Sequence, residues 1–230
     1  ILAGGFGTRL KPLVSNIPKP MAKVGDLPFL EILLKYLSQN NFSTIVMSVG
    51  YEFEKIRDYF KFEFENIEIK YSIESSPLGT GGAIKLAMKK CRSEYVFVFN
   101  GDTFLELDFS KIIKMSELNK KNIIVGRKVP DTAEFGSLEI SQNKVLSFVE
   151  KKIKGPGYIN AGCYFLKKEI FSRYHNREIF SIERDFFPEY LKKEELEFFQ
   201  SEGIFVDIGT VSSYEFINKN IKILQEIVKF

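Results

Sequence analysis

The chain has 230 residues, enough for one large α/β domain or two small ones. Its 33 basic and 30 acidic side chains nearly balance, with a formal net charge of +3, which argues against a nucleic-acid-binding domain because such domains carry a marked excess of positive charge. Hydrophobic residues make up 44% of the sequence and include 23 phenylalanines, ample material for a buried core.

The first predicted element is an apolar strand that runs into a glycine-rich turn, Ile1-Leu-Ala-Gly4-Gly5-Phe6-Gly7-Thr8-Arg9. Glycine has no Cβ, so its backbone can adopt positive φ and approach a ligand closely, and successive N–H groups in such a turn form an anion-binding nest. Lys19, which follows between two prolines, adds a second cation to that of Arg9. The stretch therefore predicts a site for a polyphosphate.

Two better-known glycine-rich loops do not fit this stretch. A P-loop requires Gly-Lys followed by Ser or Thr, which the sequence lacks. Gly5 and Gly7 match the first two glycines of the dinucleotide fingerprint, but Leu10 stands at the third. Both motifs lead directly into a helix, which the prolines that follow here prevent. A plain turn is the alternative for any lone glycine cluster, and the accompanying cations and prolines make it the weaker interpretation.

The opening stretch, together with Pro18-Lys-Pro20, resembles the signature G-G-x-G-T-R-L-x-P…P-K-P of the sugar-1-phosphate nucleotidyltransferases. It departs from the pattern at Val14, where many members of that family have threonine. The resemblance implies that Arg9 and Lys19 are catalytic cations that hold a nucleoside triphosphate. The nucleotide-binding residues that it implies in this stretch are Leu2, Ala3, Gly4, Gly5, Gly7 and Thr8.

After this stretch, strand and helix patterns alternate along the chain. Asp26 is placed to cap a helix that has Pro28 in its first turn. The predicted helices cover residues 29–37, 52–60 and 80–90, and the predicted strands cover 45–49, 67–73 and 95–99. This order predicts an α/β fold with a doubly wound, Rossmann-like and mostly parallel sheet. Ligands bind beyond the carboxyl ends of the strands in such sheets, so the loops after Ala3, Ile73 and Phe99 should line one crevice.

Beyond residue 108 the alternation becomes less regular. The predicted elements there are a helix over 109–118, a strand over 123–127, a hairpin of 136–140 with 145–149, a strand over 158–166, helices over 168–174 and 182–191, a strand over 204–207 and helical segments to the end. No repeat or linker is evident. We interpret 1–230 as one nucleotidyltransferase domain, with a nucleotide-binding half to about residue 108 and a small sugar-binding lobe from about residue 109.

Two carboxylates stand at the ends of apolar strands. Asp102 closes the run Phe99-Asn-Gly-Asp, and Asp207 directly follows Val206. Carboxylates that face a crevice suit Mg²⁺, which typically takes one or two of them together with substrate phosphate oxygens. Asn-Gly-Asp is also a common turn, and a carboxylate at a strand end can instead cap a helix, so the residues alone leave these alternatives open. The family resemblance favours the metal, because Asp102 and Asp207 stand where its members bind Mg²⁺.

The segment Glu74-Ser-Ser-Pro-Leu-Gly79-Thr80-Gly-Gly combines glycines with a predicted helix start. Its glycines permit close packing over a flat ligand, and the N-terminus of the helix that Thr80 opens favours anions. The resemblance implies that Glu74, Gly79 and Thr80 bind the nucleobase and ribose. A carboxylate only accepts hydrogen bonds. Guanine offers it two adjacent N–H donors, whereas uracil or thymine would offer a carbonyl oxygen, so Glu74 favours GTP.

Two further segments resemble sugar-binding segments of the family, Phe148-Val-Glu150-Lys151 and Tyr158-Ile-Asn160-Ala-Gly162. The resemblance implies that Glu150 and Asn160 bind sugar hydroxyls, and that the backbone near Gly136 binds another. It also implies that Lys151 is a catalytic cation on the sugar phosphate. Without the resemblance, the charged residues here would be only the polar end of a strand. Asn160 is more distinctive, because an amide within an apolar strand needs hydrogen-bond partners.

The resemblance also implies a reaction, in which an oxygen of a sugar 1-phosphate attacks the α-phosphorus of a nucleoside triphosphate and pyrophosphate leaves. Further segments resemble the heptose-1-phosphate guanylyltransferases, which use GTP and D-glycero-α-D-manno-heptose 1-phosphate to make GDP-heptose for capsule or lipopolysaccharide synthesis. These segments are Pro18-Lys-Pro-Met-Ala22, Pro28-Phe-Leu30, Pro77-Leu-Gly-Thr-Gly-Gly-Ala-Ile84, Gly155-Pro-Gly-Tyr-Ile-Asn160 and Phe180-Ser-Ile-Glu183. The alternatives are a mannose-1-phosphate guanylyltransferase, a UTP-using sugar-1-phosphate nucleotidyltransferase, a glycosyltransferase with a carboxylate metal motif and a non-catalytic regulatory domain of the same fold.

Cysteine content and hydropathy indicate the setting. Cys91 and Cys163 have no metal-ligand spacing and do not suggest a disulfide framework, so we expect a reduced, cytoplasmic environment. No apolar run approaches the ~18 residues of a membrane span and no signal peptide is evident, so we expect no membrane partner and, from the charge balance, no nucleic-acid partner. The chain starts within a strand and without Met, so we expect a few residues to precede Ile1. The oligomeric state is left open, a homo-oligomer included.

Overall fold

The computed structural model of the chain describes residues 1–5, 7, 10, 17–133, 135–149, 154–174 and 176–229. These residues form two compact units that alternate along the sequence. Unit 1 comprises Ile1–Pro77, Asn100–Glu106 and Ile204–Phe230, and unit 2 comprises Leu78–Phe99 and Leu107–Gly203. The interpretation of one domain with two halves stays a prediction. Within the described ranges, no helix is long and apolar enough to cross a membrane.

The first regular elements of unit 1 are a 3-10 turn, a two-stranded ribbon and a helix. They are the 3-10 turn Lys19–Met21, β1 (Lys23–Val24), β2 (Leu27–Pro28) and α1 (Phe29–Gln39). Gly25, at φ +61°, and Asp26 form the turn between the two strands. The prediction that Asp26 caps the helix is wrong, because this turn takes up the residue and α1 begins after Pro28 without a side-chain cap.

In unit 1, the strands predicted over 45–49 and 67–73 are parallel as expected, whereas the strand predicted over 95–99 belongs to the mixed sheet of unit 2. β3 (Thr44–Val49) is followed by α2 (Phe53–Phe60), the short β4 (Glu63–Phe64) and β5 (Ile67–Ile73). β3 and β5 are parallel, and β4 pairs antiparallel with β5. Leu2 adds parallel bridges to Ser48 and Asn100. β3 is buried from Ile45 to Val49, as expected of a parallel strand that is covered on both faces.

The remaining elements complete both units. In chain order they are α3 (Gly79–Met88), β6 (Tyr95–Phe99), β7 (Thr103–Leu105), α4 (Phe109–Asn119), β8 (Asn122–Val129), β9 (Ser137–Ser141), β10 (Lys144–Val149), β11 (Gly157–Lys167), α5 (Phe187–Tyr190), β12 (Leu196–Gln200), β13 (Phe205–Asp207), α6 (Val211–Lys219) and α7 (Lys222–Gln225). In unit 1, β7 pairs antiparallel with β13. The α6 helix begins with a capping box formed by Thr210 and Ser213, which satisfies N–H groups that a helix start leaves unpaired.

Unit 2 contains a mixed six-stranded sheet in the order β6-β11-β8-β12-β10-β9. β12 and β8 are parallel, and the other neighbouring strands are antiparallel. The predicted hairpin is present as β9 and β10, and the strand predicted over 158–166 is β11. The α/β class is therefore confirmed, but the sheets are mixed rather than mostly parallel, because the second half of the chain adds mainly antiparallel neighbours, such as the hairpin of β9 and β10.

Three segments of unit 2 differ from the predictions. β12 was not expected, because it is short and follows a charged stretch; it pairs with β8 on one side and β10 on the other. The helix predicted over 168–174 is instead a series of turns that ends in a 3-10 turn, and the segment 182–191 is a π-turn followed by the short α5. Buried Phe171 packs there against Phe180 and Phe186, with ring centroids 5.5 and 4.7 Å away. The aromatic side chains of these segments are largely buried without forming a regular helix. Their spacing in the sequence resembles that of a helix, so the sequence pattern does not reveal the irregular backbone.

Candidate functional site

Lys19 is the cation at the centre of the site in unit 1. The 3-10 turn that it opens buries its side chain to 9% exposure, and its ammonium forms an ion pair with the carboxylate of Asp102. Gly7 packs directly against it: at φ +58°, a Cβ added to Gly7 would lie 2.8 Å from the Cβ of Lys19. The glycine is therefore needed both for its backbone conformation and for the close approach of the opening loop to Lys19.

Asp207 lies near Asp102, as the family resemblance implies. The pairing of β13 with β7 sets Asp207 opposite Thr103, whose hydroxyl lies 3.4 Å from Asp102 Oδ1 and 3.3 Å from Asp207 Oδ2. The N–H of Gly209 donates to Asp207 Oδ1 at 2.6 Å. One hydroxyl thus lies between the two predicted metal ligands, and a backbone N–H orients the second of them.

The surroundings of Asp207 shift the pKa of its carboxyl group. Burial raises the pKa of Asp207 above its ordinary value, and the nearby charge of Asp102 raises it further. Lys19, the Gly209 N–H and the Thr103 hydroxyl lower it by stabilising the ionised form. The site therefore brings together two carboxylates and one ammonium, an arrangement that a further positive charge would stabilise.

The donors present fit Mg²⁺. Asp102 and Asp207 offer only oxygen ligands, and Mg²⁺ is commonly bound through one or two carboxylates with the remaining positions filled by water and substrate phosphate. No group of three or more His, Cys, Asp or Glu side chains that could hold a metal occurs among the residues that the structure describes. The pair is consistent with an ion whose coordination a phosphorylated substrate completes.

The opening strand brings the predicted phosphate loop against Glu74. Leu2 bridges Ser48 and Asn100, and the N–H of Ala3 donates to the Ser48 carbonyl at 2.8 Å. A Cβ added to Gly4 would lie only 2.8 Å from Glu74 Oε1. The Ser48 hydroxyl donates to the same Oε1 at 3.3 Å, so the carboxylate predicted to read the base is held against the loop. Among the described residues, no atom lies within 4 Å of a Cβ added to Gly5.

In unit 2, Gly79 and Thr80 begin α3 as predicted, but the helix start is packed against another segment. The N–H groups of Gly81 and Gly82 donate to the Phe180 carbonyl at 3.0 and 3.3 Å. These two donors are therefore engaged within the protein rather than directed at an anion, which differs from the expectation for this helix N-terminus. The hydroxyl of Thr80 donates to Glu183 Oε2 at 2.7 Å and accepts from the Ile182 N–H at 3.0 Å.

Asn160 and Gly136, both predicted to bind the sugar, are neighbours in unit 2. The Asn160 N–H donates to the Gly136 carbonyl at 3.1 Å. Its side-chain Nδ2 donates to the Tyr164 hydroxyl at 2.7 Å, and its Oδ1 accepts from the Gly162 N–H at 3.0 Å. The half-buried amide of Asn160 thus finds its partners in the bulge of β11 that follows it, at Gly162, and just beyond the bulge, at Tyr164.

Sequence reasoning did not assign roles to several residues that hold the predicted ones in place. They are Ser48, Thr103, Tyr164, Glu183 and Gly209. Thr103 and Gly209 stand next to or within the quoted motifs, so their position was a usable signal. Glu183 is distant in sequence from Thr80, and no local pattern links the two. The predicted site residues Thr8, Arg9, Glu150 and Lys151 lie outside the described residues, and their roles stay predictions.

The chain is similar to known proteins over nearly its whole length. A family model described as nucleotidyl transferase matches residues 1–223. D-glycero-α-D-manno-heptose 1-phosphate guanylyltransferase of Campylobacter jejuni is 43% identical over 216 residues, which cover 93% of this chain and 95% of that protein. The protein of the same name from Aneurinibacillus thermoaerophilus is 36% identical over 223 residues, covering 96% and 97%.

Solved structures are also similar to this chain over nearly its whole length. HddC from Yersinia pseudotuberculosis superposes with a TM-score of 0.87 at 39% identity, covering 96% of this chain and 97% of that one. The complex of HddC with GMP-PN superposes with a TM-score of 0.86. The fold class and the family inferred from the sequence are confirmed. The chain belongs to the nucleotidyl transferase family.

Proposed function

We propose that this protein is a guanylyltransferase that converts GTP and D-glycero-α-D-manno-heptose 1-phosphate into GDP-heptose and pyrophosphate. The observation that carries the proposal is the near full-length similarity to two proteins named for this activity. The cluster of Lys19, Asp102 and Asp207 supports it, because a regulatory domain without catalysis has no need of an ammonium and two carboxylates in this arrangement. The complex of the similar HddC with GMP-PN supports a guanine nucleotide as the first substrate.

The reaction needs little proton transfer. The second pKa of a phosphate monoester is about 6, so the attacking oxygen of the sugar phosphate is already largely ionised at neutral pH. That oxygen forms a bond to the α-phosphorus of GTP while the bond from the α-phosphorus to the bridging oxygen breaks and pyrophosphate leaves. The protein must instead bring two polyanions together in line, so catalysis consists mainly of positioning and charge stabilisation.

Lys19 is the described cation best placed for this task. Its stem is fixed by Gly7 and its ammonium by Asp102, so its charge is oriented before the substrate arrives. We assign Lys19 and Arg9 to the triphosphate and Lys151 to the phosphate of the sugar. We assign the rest of the opening loop to nucleotide binding, namely Leu2, Ala3, Gly4, Gly5, Gly7 and Thr8.

We assign Asp102 and Asp207 as ligands of Mg²⁺. When bound, the ion would supply positive charge to the α-phosphate. The contribution of the protein is to orient the two carboxylates, which Thr103 does through its hydroxyl and Gly209 through its N–H. Because Lys19 pairs with Asp102, this cation and the two proposed metal ligands form a single cluster of charges.

Base selection is assigned to Glu74. Its carboxylate accepts from the Ser48 hydroxyl and lies against the backbone of Gly4, which limits its freedom to turn. An oriented carboxylate can accept from the adjacent N1–H and N2–H of guanine, whereas a uracil carbonyl would face it with a lone pair. Gly79 and Thr80 are assigned to the ribose and base side of the same nucleotide, in unit 2.

Sugar recognition is assigned to Asn160, Glu150 and the backbone at Gly136. Asn160 has one Nδ2 hydrogen committed to Tyr164, and the second can be donated to a sugar hydroxyl. We also propose that the reaction takes place in the cytoplasm, which supplies GTP, and that GDP-heptose serves as an activated donor for capsule or lipopolysaccharide synthesis.

The test is pyrophosphate release from a panel of the four nucleoside triphosphates, each with heptose, mannose and glucose 1-phosphates. GTP with heptose 1-phosphate is expected to give the highest kcat/KM. Preference for mannose 1-phosphate or for UTP would assign one of the related activities instead. Failure to release pyrophosphate from any pair, with a folded protein, would favour a non-catalytic regulatory domain.

A further inference from the structure

A chain of hydrogen bonds within unit 2 joins two residues that we assign to different substrates. Thr80 donates its hydroxyl hydrogen to Glu183 Oε2 at 2.7 Å, and Tyr164 donates to Glu183 Oε1 at 3.0 Å. Asn160 Nδ2 donates to the Tyr164 oxygen at 2.7 Å. Glu183 therefore lies between the residue assigned to the nucleotide and the residue assigned to the sugar.

The carboxylate fixes the direction of every bond in this chain. A carboxylate accepts and does not donate, so the hydroxyls of Thr80 and Tyr164 must both donate to Glu183, as must that of Ser181 at 2.8 Å. The Tyr164 oxygen can then only accept. Asn160 must turn its amide nitrogen, rather than its oxygen, toward Tyr164.

The orientation of Asn160 is fixed from its other side as well. Asn160 Oδ1 accepts from the Gly162 N–H at 3.0 Å, so a flipped amide would set a donor against a donor there. Tyr164 is fully buried, and burial together with the neighbouring Glu183 raises the pKa of its hydroxyl well above the ordinary value. Tyr164 thus remains a donor to Glu183, and water cannot replace the bond.

We infer that Glu183 is a positioning residue, which orients Thr80 toward the nucleotide directly and Asn160 toward the sugar phosphate through Tyr164. This inference rests on the proposed function, because it uses the assignments of Thr80 and Asn160 made there. It predicts that the two branches can be separated. Glu183 reaches Asn160 through the Tyr164 hydroxyl, whereas Thr80 hydrogen-bonds to Glu183 directly.

Glu183→Gln and Tyr164→Phe test the two branches. An amide can replace only one carboxylate oxygen, so Glu183→Gln is expected to keep its oxygen toward the two donors Thr80 and Ser181 and to turn its N–H₂ toward the single donor Tyr164. Tyr164→Phe removes the hydroxyl that links Glu183 to Asn160 and leaves the bond from Thr80 in place. The double variant shows whether the effect of Glu183 on the sugar passes through Tyr164.

Tyr190→Phe is a matched control in the same unit. Asn122 Nδ2 donates to the Tyr190 hydroxyl at 2.8 Å, and Asn122 Oδ1 accepts from the Lys167 N–H at 2.7 Å. An asparagine amide and a tyrosine hydroxyl thus form the same kinds of hydrogen bond here as Asn160 and Tyr164 do, and neither of these bonds involves Glu183. The control is expected to lower the melting temperature without changing either Michaelis constant.

The expected result is a split in KM. Tyr164→Phe should raise the KM for heptose 1-phosphate about fivefold, the size of one lost hydrogen bond, with the KM for GTP unchanged. Glu183→Gln should raise the KM for heptose 1-phosphate about as much on its own and by nothing further in the Tyr164→Phe background. A Tyr164→Phe variant that folds and keeps the wild-type KM for the sugar phosphate overturns the inference. A double variant whose KM for the sugar phosphate rises by the product of the two single increases also overturns it.

The same assays separate this inference from the proposed function. Wild-type activity on GTP and heptose 1-phosphate with unchanged KM in all variants overturns the role of Glu183 and leaves the function standing. Preference of the wild type for another pair overturns the proposed substrates, and the KM split measured with that pair then supports or overturns the role of Glu183. A folded wild type without activity on any pair overturns both.

Discussion

Lys19 forms an ion pair with Asp102 on one side of the Thr103 hydroxyl, and Asp207 lies on the other side. These residues come from the start, the middle and the end of the chain. The β7–β13 pairing and the 3-10 turn at Lys19 bring them together in unit 1. A nearly buried cation is stable only beside its carboxylate, so the position of Lys19 and the charge of Asp102 depend on each other.

Removal of the Lys19 ammonium should slow the reaction strongly. We expect Lys19→Ala to lower kcat/KM for pyrophosphate release about 10²–10³-fold, because a charged contact that acts in the transition state contributes about 2.7–4 kcal/mol. Lys144→Ala is the control, since Lys144 forms an exposed ion pair with Glu195 at 2.5 Å and surface pairs contribute about 0–1 kcal/mol. Near-normal turnover of Lys19→Ala would contradict its assignment.

Metal removal should abolish turnover, and Asp102→Asn should reproduce much of that loss. We expect no pyrophosphate release in excess EDTA and recovery on addition of Mg²⁺, because the α-phosphate would otherwise face two carboxylates. In saturating Mg²⁺, Asp102→Asn should lower kcat about 10²–10³-fold. Calorimetric titration of GTP with and without Mg²⁺ provides a measurement that does not depend on turnover. Undiminished activity in EDTA would exclude Asp102 and Asp207 as essential metal ligands.

The sequence places Asp102 and Asp207 at the ends of apolar strands, but a turn or a helix cap would explain them equally, and only the family resemblance favours a metal site. The structure brings these two carboxylates together with Lys19, and their roles stay predictions. The opening loop is recognisable because its three glycines and Arg9 stand close together in sequence. The hydrogen bond between Thr80 and Glu183 cannot be recognised in the sequence, because it depends on how unit 2 folds rather than on any local pattern. The irregular 3-10 and π-turn segment is hidden for the same reason, since aromatic packing sets its backbone.

Glu74→Gln should weaken the preference for guanine. The amide retains one acceptor oxygen but sets an N–H₂ group against one guanine donor. We expect the ratio of kcat/KM for GTP to that for UTP to fall by about tenfold to a hundredfold, the range for losing a two-point contact to a base edge. Selectivity equal to that of the wild type would remove Glu74 from base recognition.

Ser48→Ala separates the orientation of Glu74 from its chemistry. Ser48 donates to Glu74 Oε1 at 3.3 Å, a long bond whose loss should cost well under the full effect of Glu74→Gln. We expect the GTP preference to fall in the same direction by only about twofold to fivefold. An effect on GTP and UTP alike would indicate that Ser48 supports the strand rather than the base-reading carboxylate.

Gly82→Ala tests whether close packing at the start of α3 outweighs helix propensity. Alanine in a helix interior is favoured over glycine by about 1 kcal/mol, but a Cβ at Gly82 would lie 2.1 Å from the carbonyl oxygen of Glu178. Backbone shifts of this kind cost about 1–3 kcal/mol or more, so urea denaturation should show a net loss of stability. Gly136→Ala is the control in the same unit, because an added Cβ there meets no atom of the described part of the chain within 4 Å, and it should change stability by no more than about 0.5 kcal/mol. A Gly82→Ala variant more stable than the wild type would mean that the segment at Glu178 yields to the side chain, and that α3 is not held as tightly as the Phe180 contacts indicate.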